Sequence, residues 1–171
     1  MVKKIFLFMM IFLFASCDTK LRNLTMQKTP YTGDKLKIDG YYYSNPIYRN
    51  DIRVAIFYKD GFCIFTWATP NSQDTLNYIE NEILLNDKYI SELKSNPDHI
   101  GVFQIIDSDI EIEAWEYRSW IFTHFGKIVN DTTFIINKRK DNNSQKSYSE
   151  DITFRFKQFS PKPDSTNVWI K

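Results

Sequence analysis

A chain of 171 residues and 20.4 kDa has room for one domain with a sizeable core and little for a second. Its 22 basic residues balance 21 acidic ones, which excludes the strong positive field of a nucleic-acid or polyanion binder. An apolar share of 43% with 25% charged excludes a disordered chain; two cysteines exclude a disulfide scaffold, and two histidines leave little for a zinc or di-metal centre.

Lys3 and Lys4 precede Ile5–Phe14, an unbroken apolar run of ten. A membrane-spanning helix needs about 20 such residues, so the run reads as the hydrophobic part of a secretory signal. The small residues Ala15 and Ser16 follow, and then Cys17. The order Phe14-Ala15-Ser16-Cys17 resembles the lipobox of bacterial lipoproteins. That resemblance implies cleavage before Cys17, acyl chains on this cysteine and a membrane anchor, in the outer rather than the inner membrane of a cell envelope. The expected organisation is a signal peptide over 1–16, a lipidated Cys17 with a flexible tether over 17–35, and one barrel domain over 36–171. Removal of the signal takes Lys3 and Lys4 with it, moves the net charge from +1 to −1 and leaves Cys63 as the lone thiol. In its apolar surroundings Cys63 reads as a core residue rather than a nucleophile.

The mature chain reads as tether, sheet, helix, sheet. Leu36–Tyr43 predicts a first strand. Ile52–Lys59 and Phe62–Trp67 flank Asp60-Gly61, a two-residue signal for a hairpin turn. Val102–Ile106 and Asp109–Trp115 flank Asp107-Ser108, and Trp120–Val129 and Thr132–Lys138 flank Asn130-Asp131. Ile152–Phe159 predicts a further strand and Val168–Ile170 a short last one. The polar stretch Lys138–Glu150 reads as a long mobile loop. Between the third and fourth strands, Leu76, Ile79, Ile83, Ile90 and Leu93 recur at helical spacing; Asn86-Asp87 can split this helix, and Asn96-Pro97 ends it.

Strands joined by tight turns predict an antiparallel β-meander. Several are apolar on both faces, Val54, Ile56 and Tyr58 on one side and Ala55 and Phe57 on the other. Closure into a barrel with a helix packed outside accounts for both faces and removes the exposed edges. Asp39-Gly40-Tyr41-Tyr42, Gly101-Val102-Phe103 with Ile110 and Trp115, Gly126-Lys127-Ile128 with Asn130-Asp131-Thr132, and Lys162-Pro163-Asp164-Ser165-Thr166 resemble the lipocalin-like (calycin-type) lipoproteins of diderm bacteria. The resemblance implies a lipocalin-like barrel and brings no catalytic residues.

Asp109, Glu111 and Glu113 alternate with Ile110, Ile112 and Ala114, so the three carboxylates share one strand face. Neighbours two apart on a strand lie about 6.6 Å from each other, near the separation in an inverting glycosidase. Here, however, both carboxylates point the same way. A solvated outer face, paired with Arg53, Arg155 or Lys157, fits better. His124 shares the parity of Trp120 and Phe122 and is expected to face inward; His99 follows Pro97-Asp98 and is expected at the surface. Tyr41, Tyr42, Tyr58, Trp67, Trp115, Trp120 and His124 form the candidate ligand-binding set, because aromatics with a polar handle suit a sugar- or lipid-contacting cleft. No phosphate loop, nucleophile elbow or metal signature is present in the sequence. The expected function is a membrane-anchored, non-catalytic binding or accessory module for a small apolar or carbohydrate ligand, with no cofactor, metal or nucleic acid. The alternatives are an interaction lipoprotein with a filled barrel and an envelope hydrolase.

Overall fold

The computed structural model describes residues 23–47, 50–70, 74–117 and 120–170. The signal and Cys17 lie outside the described residues. Eight antiparallel strands form a closed barrel in sequential order: β1 (Gly40–Ser44), β2 (Ile52–Phe57), β3 (Phe62–Ala68), β4 (Ile100–Ile106), β5 (Asp109–Glu116), β6 (Trp120–Asn130), β7 (Thr133–Asp141) and β8 (Ser147–Gln158). β1 pairs with β8, Gly40 opposite Gln158, and so closes the ring. This is the lipocalin-like meander that tight turns and two-faced strands predict.

The turns form as their residues dictate. Gly61 takes a positive φ of 86° at the Asp60-Gly61 corner, a conformation that costs glycine nothing. Asp107 does the same at φ 55° in the β4–β5 turn. In the β6–β7 turn, Asn130 Oδ1 accepts from Thr132 N at 3.0 Å. The segment read as a mobile loop over Lys138–Glu150 is ordered into strand ends instead. β7 runs on to Asp141 and β8 starts at Ser147. Asp141 Oδ1 accepts from Asn143 N at 2.8 Å and Ser144 N at 3.2 Å, an Asx turn that lets polar residues close a hairpin. Val168–Ile170 forms no strand; Asn167 Oδ1 folds it back by accepting from Trp169 N and Ile170 N.

The helical excursion between β3 and β4 is split where Asn86 stands. α1 (Thr75–Tyr78) continues into a π-helical turn (Ile79–Leu84). α2 (Asp87–Ser95) then starts afresh with Asn86 Oδ1 accepting from Tyr89 N, which is N-capping. Asn96 ends α2 and caps a 3₁₀ turn over Pro97–His99.

Two cores lie on either side of one wall. Inside the barrel pack Tyr42, Ala55, Phe57, Phe65, Phe103, Phe134 and Phe154. Outside, Tyr41, Val54, Ile56, Ile64, Ile100 and Trp115 pack against Ile79, Ile83, Leu84, Ile90 and Leu93 of the helical layer. Alternation along each strand sends its neighbours to opposite cores. The β2–β3 hairpin, with six registered pairs, is apolar on both faces, yet it joins β1 by two pairs and β4 by three.

Of residues 23–35, expected in the tether, Leu24 packs on the outer core while Tyr31 packs on the inner one, as does Leu36, expected to open the first strand. Thr25 N and Met26 N donate to Glu113 Oε2, and Tyr31 N donates to Lys59 O. Leu36 is buried, with its N–H on Tyr31 Oη. The chain therefore joins the sheet only at Gly40.

Candidate functional site

The strand ends that lead into the connections β1–β2, β3–α1, β5–β6 and β7–β8 lie at one end of the barrel, and the short turns β2–β3, β4–β5 and β6–β7 at the other. At the turn end, Tyr42 Oη donates toward the carbonyls of Lys37 and Asp131, each 3.0 Å away. The floor above it is filled with rings: Tyr42 contacts Phe57, Phe134 and Phe156, and Phe134 stacks on Phe154 at 4.6 Å.

Toward the loop end the interior turns charged. Arg53 continues the inward parity of Ala55 and Phe57, and Glu116 that of Ile112 and Ala114. His124 sits opposite Ile112 on β6, and Arg139 opposite His124 on β7. Glu150 of β8 completes the group. Glu116 Oε1 receives His124 Nε2 at 2.8 Å and Arg53 NH1 at 3.2 Å. Arg139 lies 3.6 Å from Glu116 Oε2 and 3.3 Å from Glu150 Oε1. His124 Nδ1 lies 3.6 Å from Glu150 Oε2. Glu116 and His124 are each 1% exposed. Arg53 lies over the Phe65 ring, and Arg139 lies over Phe122 and Tyr148.

Burial by itself would raise the Glu116 carboxyl. The His124 hydrogen bond and the Arg53 and Arg139 guanidiniums overcome burial and bring it down to about 2. Burial also opposes ionisation of Glu150, and His124, Arg53 and Arg139 again lower it. Both acids are therefore held as carboxylates. A hydrolytic acid–base pair needs one carboxyl raised and protonated, so this pair has the wrong polarity for that chemistry.

The cluster is not fully satisfied within itself. His124 Nδ1, Arg139 Nε, Glu116 Oε2 and Glu150 Oε2 are buried without a hydrogen-bond partner among the described residues. Their ion-pair neighbours stand at or beyond the edge of hydrogen-bonding geometry. Such atoms cost stability when left unpaired, and an apolar group of equal volume would commonly be more stable. Around the same end stand Tyr117, Trp120 and Tyr148, all exposed, and Trp67 lies 5.4 Å from Tyr117 ring to ring.

The seven candidate ligand-binding residues do not converge. Tyr42 and His124 lie inside, the first in the floor and the second in the charged layer. Tyr41, Tyr58 and Trp115 lie on the outer face, in the second core. Trp67 and Trp120 stand at the loop-end rim. The three strand carboxylates do share a face but are not uniformly solvated. Asp109 is exposed and pairs with Lys127, Glu111 accepts from Gln104 Nε2, and Glu113 is 1% exposed beneath Thr25 and Met26. Arg53 pairs with Glu116 across the interior rather than with this outer face. His99, expected at the surface, is half-buried with Nδ1 2.9 Å from Thr66 Oγ1, and burial lowers its pKa. Cys63 is fully buried, which holds its thiol far above the ordinary range.

Sequence reasoning missed Arg53, Glu116, Arg139 and Glu150. A signal existed for the first two: each carries a charge at a parity otherwise apolar along its strand. The other two fell in the stretch read as a loop, where parity has no meaning. In comparison with known proteins, no family model, curated protein or solved structure matches this chain.

Proposed function

We propose that the chain is a membrane-anchored lipoprotein of a cell envelope whose barrel is a non-catalytic binding module for a small polar ligand of carbohydrate type, taken at the loop end. Lys3, Lys4, the apolar run Ile5–Phe14 and Ala15-Ser16-Cys17 support the anchor. The observation that carries the binding role is the buried cluster of Arg53, Glu116, His124, Arg139 and Glu150, with four polar atoms that find no hydrogen-bond partner among the described residues, below an aromatic rim. Hydroxyl groups both donate and accept, so a polyhydroxy ligand complements carboxylate oxygens and guanidinium N–H groups together. Its apolar ring faces stack on tyrosine and tryptophan. An apolar ligand fits poorly, because the floor is occupied by the protein's own rings.

The test is saturation-transfer NMR of the full-length protein against neutral sugars, amino sugars and sugar acids. At least one class should bind, and Arg139→Ala should abolish the signal while circular dichroism stays unchanged. A panel without a hit, or a hit that survives Arg139→Ala, refutes the reading. The filled floor favours one second reading, in which the same rim recognises a protein surface.

A further inference from the structure

Residues 23–26 and 167–170 come together on the barrel's flank. Leu24 and Ile170 both pack on the outer core. Asn23, Leu24, Met26, Val168, Trp169 and Ile170 line one groove of about 360 Å³ with the buried wall behind it. Thr25 Oγ1 donates to Glu113 Oε1 at 2.7 Å and Met26 N to Glu113 Oε2 at 2.6 Å, so the segment is pinned to β5 just beyond this groove. On the other side, the turn at Asn167 anchors Ile170 and leaves two large apolar side chains outward. Val168 is 74% exposed and Trp169 39%.

The position of this tip along the chain gives it meaning. Asn23 is six residues after Cys17. A fully extended residue spans at most about 3.6 Å, so Asn23 cannot lie more than about 22 Å along the chain from Cys17. The flank that carries Asn23 is therefore held within that reach of whatever surface holds Cys17. Tryptophan favours the headgroup layer of a bilayer. Acyl anchors gain from a second, protein-borne contact, and the intervening sequence adds Lys20, Leu21 and Arg22.

We propose that the Val168–Trp169 tip inserts into the headgroup region of the membrane that holds the lipidated Cys17, so that the barrel lies on the bilayer by this flank. The inference rests on the proposed lipid anchor at Cys17. It sets the loop-end rim beside the membrane surface instead of facing straight away from it.

The experiment uses the full-length protein, purified in detergent after expression in a diderm host and reconstituted into phosphatidylcholine vesicles with or without brominated acyl chains. Bromine quenches nearby tryptophan. The wild-type protein should lose about a quarter of its emission, one tryptophan in four, and Trp169→Phe should abolish that loss. Intact mass and vesicle flotation, with Cys17→Ser as control, read the anchor separately. An acylated protein that floats with vesicles but shows no Trp169-dependent quenching overturns this inference and leaves the anchor intact. An unmodified Cys17 with no flotation overturns both. Concentration-dependent dimerisation abolished by Trp169→Phe, without quenching, assigns the tip to a second copy and also overturns the membrane contact.

Discussion

Replacing Glu116 by glutamine removes the charge around which the buried cluster is arranged. Burial opposes ionisation of this carboxyl, yet His124, Arg53 and Arg139 bring it from 4.5 down to about 2. A carboxyl lowered by folding lends stability that is complete above its unfolded value and is lost as the pH falls toward the folded one. The interval from 4.5 to about 2 corresponds to about 3 kcal/mol. That figure agrees with the ~3–5 kcal/mol that removal of one partner from a buried charge pair costs. Urea denaturation at pH 7 should therefore place Glu116→Gln about 3 kcal/mol below wild type. As the pH is lowered from 4.5 toward 2, the wild-type protein should lose that advantage, so that the two curves converge near the lower limit. A deficit below about 1 kcal/mol at pH 7, or a variant whose acid profile runs parallel to wild type throughout, would refute this arrangement of charges. The combined variant Arg53→Met, Glu116→Leu, His124→Phe separates lost charge from lost volume. It fills the space with apolar groups and should recover most of the single variant's deficit.

Two further predictions concern the wall. A Cβ on Gly61 would stand 2.2 Å from the Thr29 carbonyl oxygen, at a backbone φ of 86°. Gly61→Ala should cost about 1–3 kcal/mol and speed limited proteolysis within residues 23–36; an unchanged cleavage pattern would show that this contact does not hold the segment. In a Cys17→Ser background, buried Cys63 should resist a thiol reagent at pH 8 until denaturant is added. Rapid labelling of the native protein would contradict its place on β3, facing the interior rings.

The barrel was legible because its turns are written in local chemistry. Asp60-Gly61, Asp107-Ser108 and Asn130-Asp131 each mark a reversal, and the two-faced apolarity of Ile52–Phe57 left closure as the economical arrangement. The helix break at Asn86 was readable for the same reason, since an asparagine there can cap a new helix. The binding cluster was less legible. Its members are distant in sequence, so only register brings Arg53 beside Glu116 and Glu150 beside Arg139. The row Asp109, Glu111, Glu113 drew attention by its regularity, whereas the informative acid was Glu116, the one that broke an apolar parity. Glu113 misled for a further reason. Its fate depends on Thr25 and Met26, which pattern alone places in a tether.

The β2–β3 hairpin is stitched to its neighbours by few backbone bonds and gripped instead by grease on both sides. Stretching the ring there would drag oil into water from two directions at once, so the scant lacing is no weakness. The panel behaves like a board clamped between cushions. The opposite arc, β6 to β8, carries the register shifts between its strands and turns part of its outer side to water, so bending there meets no such penalty.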